Sequence, residues 1–286
     1  MRDVAVVTDS TASLPASLVE AAGIVVVPLD VVVDGVAHRE GVDISPAQIV
    51  EALRSGATVR TAHPGPEAFA RAYARVAARG AREIVSVHLS GELSGTVTSA
   101  QLAAQTSGVP VHVVDSRTVG MALGFAAVAA ARVAGGDGAT AHDGAAVARA
   151  AERGAATTAV RFAVETLDYL RAGGRLGPLA ATLGTVLGLR PVLAVRDGRI
   201  DVVEKVRTSA RSRERVIELT LADVARRDRF ELTVHHLGDP GPATAVAERL
   251  TAACGHGLQA VHVAEISAVV GAHVGPGLLA VVVAGA

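Results

Sequence analysis

The sequence predicts an α/β protein: a parallel-sheet α/β half, then an α+β half with a largely antiparallel sheet. Three observations predict it. The first half alternates short β-branched apolar runs with helical stretches, as in a parallel sheet covered on both faces. From about Thr157 the pattern changes, and VLAVRDGRIDVVEK reads as a hairpin turning at Asp197-Gly198. Half of the 286 residues are hydrophobic, enough for a substantial core. We place the division near residue 160, giving domains of residues 1–160 and 161–286.

The elements follow in order. VAVVTD is a strand and PASLVEAAG a helix; IVVVPLDVVVDGV reads strand, turn, strand. In SPAQIVEALRSG, Ser45 caps a helix, Pro46 suits its first turn and Gly56 ends it. TAHPGPEAFARAYARVAARG is a helix closed by Gly80. EIVSVHL is a strand and TVTSAQLAAQ a helix, which sets Ser94 and Gly95 at a helix N-terminus, where unpaired N–H groups favour an anion. PVHVVD is a strand, the Ala-rich GMALGFAAVAAARVAGG a helix, and the glycine-rich run 131–144 a loop between two helices. VRFAVETLDYLRAGGRLG gives strand, helix and glycine turn. The hairpin, a helix, FELTVHHL, another helix, QAVHVAEIS and LLAVVVAG complete the chain. The Met121–Val133 helix is a candidate wall for an aliphatic ligand, with plain helix packing as its alternative.

Composition excludes several classes. The net charge is −1 with acids and bases intermixed, which argues against a nucleic-acid footprint. Aromatic residues are 2% of the chain, too few for a stacking platform. Cys254 is the one cysteine, so neither an intrachain disulfide nor a cysteine-rich metal site can form, and a reducing cytoplasm is expected. MRDVAVVTDS lacks the order of a signal peptide, and the longest apolar run stops at Arg132, below spanning length.

Familiar catalytic signatures fit poorly. Ser90 and Ser94 lie in a strand-to-helix turn, but HLSGE and ELSGT are not the nucleophile elbow of a serine hydrolase. His235 and His236 are adjacent in a strand and point to opposite faces, so they make no metal pair. There is no phosphate-binding loop and no dinucleotide fingerprint, so ATP binding by this chain is not expected. What remains is a set of polar residues framed by glycine and proline: Thr61 in RTAHPGP, Ser94 in ELSGT, Arg175 in AGGRLGP and His273 in GAHVGPG. Taken singly they are a capping hydroxyl, a turn serine, a surface arginine and a loop histidine. Together they offer hydroxyl, guanidinium and imidazole donors to one anionic group.

The same stretches carry a resemblance. VVTDSTASLP, VVPLDVVVDG with GVDI, RTAHPGPEAF, LSGELSGTVTSA, VVDSRTVGMALG, ETLDYLRAGGRLG, LGLRPVLAVRDGRI with KVRT, HHLGDP and GAHVGPGLLAVVV occur in one order, and over nearly its whole length the chain resembles the DegV family. The resemblance implies two domains binding one long-chain fatty acid, with the acyl chain buried and the carboxylate at the domain interface. It further implies the lipid-binding subunit of a bacterial fatty acid kinase, in which a separate ATP-binding subunit makes an acyl phosphate that this chain retains. The alternative is a lipid carrier or sensor without phosphotransfer. The implied head-group residues are Thr61, Ser94 with the Gly95 amide, Arg175 and His273, with no catalytic residue, metal or cofactor. Two positions depart from the family pattern: Gly91 replaces a second serine, and His63 stands where glutamine or another polar residue is common.

Overall fold

The computed structural model describes residues 3–136, 143–176 and 189–285. Residues 137–142 of the expected loop at 131–144, and residues 177–188, within which GGRLG and LGLRP partly fall, lie outside the described residues.

The first half is built on a parallel sheet. Strands β1 (Val4–Asp9), β2 (Val25–Val27), β6 (Glu83–His88) and β7 (Val111–Asp115) lie in the order β2-β1-β6-β7, every pair parallel. Helices α3 (Pro66–Ala78) and α4 (Thr96–Ala104) cover one face, burying Phe69, Tyr73 and Ala100 against Val7 and Ile84. Helices α5 (Met121–Ala134) and α6 (Gly144–Ala156) cover the other, against Val6, Val85 and Val87. The short α1 (Ala16–Ala22) lies between β1 and β2, and α2 (Pro46–Arg54) starts with a capping box in which Ser45 and Gln48 satisfy each other.

The expected strand-turn-strand over 24–36 divides between two sheets. Pro28 has no N–H to continue a ladder, so β2 stops at Val27 and the chain leaves the sheet. Strands β3 (Asp30–Val33) and β4 (Val36–Arg39) then form a hairpin with positive φ at Asp34 and Gly35, joined by β5 (Val59–Ala62) in a separate antiparallel sheet ordered β4-β3-β5.

The second half is a six-stranded sheet ordered β10-β9-β8-β13-β11-β12. It comprises β8 (Ala159–Ala163), β9 (Val192–Arg196), β10 (Arg199–Glu204), β11 (Phe230–His236), β12 (Leu258–Glu265) and β13 (Leu279–Gly285). Every pair is antiparallel except β11–β12. Side chains alternate along each strand: Leu232, Val234, Val281 and Val283 face α8 (Ser209–Val224) and α9 (Gly241–Ala253), while Val160, Phe162, Ala280 and Val282 face the first half. Two short helices complete the chain, α7 (Asp168–Ala172) after β8 and α10 (Ala268–Val274) before β13.

Helix α5 joins the two cores. Its Leu123, Ala126 and Ala130 pack in the first, and Met121, Ala122 and Phe125 in the second, which explains a helix apolar all round. The hairpin β9–β10 reaches back across the halves. Ser90 Oγ donates to the Gly198 carbonyl at 2.7 Å, Arg117 to that of Asp197 at 2.6 Å, and Arg199 pairs with Glu92 at 2.7 Å.

A buried polar chain fixes the carboxyl ends of β1 and β6. Asp9 accepts from the Thr11 amide and hydroxyl on one oxygen, and from the Leu89 amide and His88 Nδ1 on the other. His88 Nε2 meets the Ser86 hydroxyl at 2.7 Å, and Tyr73 donates to Ser86 at 2.9 Å. Burial pushes the Tyr73 phenol up to about 12, so it stays a donor. Removing one acceptor orphans several buried donors, each costing about 1–3 kcal/mol. Asp9→Ala is therefore expected to lower unfolding free energy by roughly 3 kcal/mol or more in urea titrations, whereas a change of a few tenths would show that the network adds little.

Candidate functional site

A cavity of about 120 Å³ lies between the loops at the carboxyl edge of the parallel sheet and the open face of the six-stranded sheet. Ligands of open parallel sheets bind at such an edge. Strand register builds its sheet-side wall in rows. Phe162, Ala280 and His235 are cross-strand neighbours in one row; Val160, Val282, Val195 and Ile200 follow in the next. Leu29, Leu89 and Val119 line it from the loops of the first half, and Ile266 from the end of β12.

His235 is a polar ring in this apolar wall, and both its nitrogens are occupied. Nε2 accepts from the Met121 N–H at 3.0 Å, which leaves Nδ1 as the protonated nitrogen donating to the Ala264 carbonyl at 2.9 Å. Burial holds its pKa down at about 4. It stays neutral and offers the cavity a ring without a spare donor.

At one end the wall becomes polar. His273 Nε2 lies 2.8 Å from Thr61 Oγ1. Arg175 Nε donates to the Leu93 carbonyl at 3.2 Å and Nη1 to that of Gly173 at 2.5 Å. Burial lowers the Arg175 pKa, and burial, then the adjacent Arg175 charge, hold His273 at about 4. Among the described residues no carboxyl group pairs with Arg175, and the segment 177–188 contains no acidic residue. This end is therefore a half-buried fixed cation beside a neutral imidazole and two hydroxyls, a donor set suited to an anion.

Thr61, Ser94, Arg175 and His273 all line the cavity. Gly95 is the N-cap of α4, directly after Ser94, and a β-carbon there would lie 3.2 Å from the His63 ring. Local settings differ from those expected. Thr61 is inside strand β5, and His273 belongs to the last turn of α10, which Ser267 caps. In AGGRLG the two glycines have separate tasks: a β-carbon on Gly173 would overlap His273 Nδ1, and Gly174 has φ +72°. The Gly91 amide donates to Asp115 at 3.2 Å, and a β-carbon at this position would lie 3.0 Å from the same carboxylate oxygen. Helix α5 packs into the cores and lends the cavity only the Val119-Gly120 approach.

Sequence reasoning missed Thr11 and the cavity role of His235; the cue was polar residues on the apolar face of a strand or just past its end. Neither serine considered as a nucleophile has an imidazole partner among the described residues: Ser90 is fully buried against Gly198, and Ser94 pairs with the Thr96 hydroxyl at 2.9 Å. Ser86, His88 and Asp9 are linked in series, but all three are fully buried.

A family model described as uncharacterised protein, DegV family, matches residues 3–286. The chain belongs to the DegV family. A DegV domain-containing protein of Streptomyces coelicolor is 48% identical over 282 residues, covering 99% of this chain and 98% of that protein. A DegV family protein from Thermus thermophilus, whose structure is described as showing fatty acid binding, is 36% identical and superposes with a TM-score of 0.90 over 100% of both chains. DegV from Bacillus subtilis, described as a fatty acid binding protein, is 28% identical with a TM-score of 0.91, again over 100% of both.

The histidine environments give a signed pH dependence. The unfolded chain protonates these imidazoles near pH 6.5 and the folded one only near 4. Their stabilising contribution is therefore complete above about pH 6.5 and is lost as pH falls toward 4, on the order of 3 kcal/mol for the fully buried His235. Nitrogen-15 spectra at pH 5.5 should show neutral rings, with His235 as the Nδ1–H tautomer; an imidazolium pattern would overturn this assignment.

Proposed function

We propose that this DegV family protein binds one long-chain fatty acid, with the acyl chain in the apolar cavity and the carboxylate at Arg175, His273, Thr61 and Ser94. The observation that carries the reading is the half-buried Arg175 guanidinium, without a carboxyl partner among the described residues, at the polar end of an otherwise apolar hollow. The fatty acid binding described for the relatives from Thermus thermophilus and Bacillus subtilis supports it. Two domains, residues 1–160 and 161–286, form the site together in this reading, and the chain works in the cytoplasm.

Energetics favour a division of labour. At about 0.8 kcal/mol per buried methylene, a tail of about fourteen gains on the order of 11 kcal/mol before binding costs. The head group contributes orientation: an unpaired buried carboxylate is prohibitive, and a guanidinium fork with short hydroxyl donors removes that cost. An anion beside His273 also favours its protonated form, so binding below pH 6.5 should take up protons.

The reading extends to presentation of the carboxylate to a separate ATP-binding kinase subunit, which leaves the chain holding an acyl phosphate. Thr61, Arg175 and His273 also border an outer cleft with Arg60 and Tyr169, so the head group lies between the cavity and a face that another protein can reach. With no phosphate loop here, the ATP site belongs to that partner, and this chain's part is to position the nucleophilic carboxylate. No residue of this chain is assigned a catalytic role.

Native mass spectrometry of the purified protein should show one long-chain fatty acid per chain, and palmitate should bind far more tightly than hexanoate; equal affinities would contradict the cavity assignment. Arg175→Ala should stay folded and weaken palmitate binding at least about tenfold, the scale of one lost charged hydrogen-bond partner. Acyl-phosphate formation with ATP and a fatty acid kinase subunit separates presentation from simple carriage.

A further inference from the structure

The cavity has a second boundary, opposite its polar end. Arg175 and His273 follow and precede the ends of β8 and β13 that meet at the Ala163–Leu279 pair. Moving away from them along these antiparallel strands, the wall passes Ala280 and Phe162 and then reaches Val282, Val160 and Val195. Each step is two residues, about 6.6 Å. Val160 and Val195, cross-strand neighbours, thus stand in the lining row farthest along these strands from the Ala163–Leu279 pair.

These two valines also border another hollow. A polar cleft of about 420 Å³, lined by Asp115, Arg117, Glu152 and Asp197, shares Val160 and Val195 with the apolar cavity. Because Val160 and Val195 line both hollows, they stand between them. On its far side, where α6 ends, the cleft also offers Ala155 and Ala156. The hairpin clasp on Ser90 and Arg117 holds Val195 in place, two residues from the turn at Asp197-Gly198.

We infer that Val160 and Val195 form the end wall that sets the longest acyl chain the protein accepts, an assignment that rests on the fatty acid reading above. A methyl end reaching the pair has used the apolar surface available. Further methylenes would either bend back or enter a cleft lined by charges, where they gain nothing from burial. Trimming a valine to alanine opens the partition and lets a longer tail run on against Ala155 and Ala156. Enlarging it shortens the cavity.

The test is a displacement series with saturated acids from 12 to 22 carbons against a fluorescent fatty acid, on wild type, Val160→Ala and Val195→Ala. Wild-type affinity should rise with length and then stop. Either alanine variant should move that optimum by two or more carbons and raise the 22-carbon to 16-carbon affinity ratio about tenfold, the discrimination typical of one or two methylenes in an apolar pocket. Should an alanine variant fail to fold, Val160→Ile and Val195→Leu keep the site filled and should move the optimum to shorter acids. An unchanged length profile in variants that still bind palmitate overturns the wall. Failure of wild type to bind any acid overturns the fatty acid reading instead, so the two failures are distinct.

Discussion

The loops at the carboxyl edge of the parallel sheet depend on the Asp9 carboxyl group. It ends β1 and accepts hydrogen bonds from the start of its own loop and from the end of the neighbouring β6. Those two chain ends carry Thr11 and Leu89 into the cavity wall, and the loop after Leu89 leads to Ser94. A loop at a sheet edge has few neighbours to fix it. One carboxyl group with four donors, sealed from water, fixes two loops at once because any displacement leaves a buried polar atom unpaired. The His88–Ser86–Tyr73 chain extends that support into the core under α3 and α4.

The cavity is equally a product of what is kept from filling it. Two sheets facing each other would normally interdigitate their side chains. Here α5 holds them apart on one side and the hairpin clasp fixes the other, while the facing strands present Val, Ala and Phe. The polar end is built by different means. Gly173 lets backbone approach the His273 ring, and Arg175 spends hydrogen bonds on the Leu93 and Gly173 carbonyls, which aim its guanidinium without neutralising it.

Much of the fold was legible because it is locally determined. The Ser45 cap, the Asp197-Gly198 turn and the alternation of strand and helix each need only a few neighbouring residues, and the structure shows all three. The separate β4-β3-β5 sheet was not, although Pro28 marked the break: pairing Val31 with Thr61 spans 30 residues, and no local pattern reports it. At the site, glycine and proline framing picked out Thr61, Ser94, Arg175 and His273, since backbone constraint leaves a trace in sequence. That framing also misled, placing His273 in a loop when Gly275 simply ends the helix that carries it. His235 and Thr11 left no such trace, because a polar side chain on a strand or just past its end reads as a solvent-facing residue until the opposing sheet is known.

Helix α10 ties the order of folding to the order of synthesis. This helix comes late in the chain, yet its Ala268, Val269 and Ala272 sit in the hydrophobic core of the first half, packed with α2, β3 and β5, and Glu40 accepts from its Val269 amide. A ribosome making this protein releases the parallel sheet long before the piece that completes its core. The nascent first half must wait, with apolar surface uncovered, until residue 272 has emerged. Domains that fold in order of synthesis are spared that interval. The helix that supplies the head-group histidine is thus also the last part of the first core to arrive, so the binding site and that core are completed in one event.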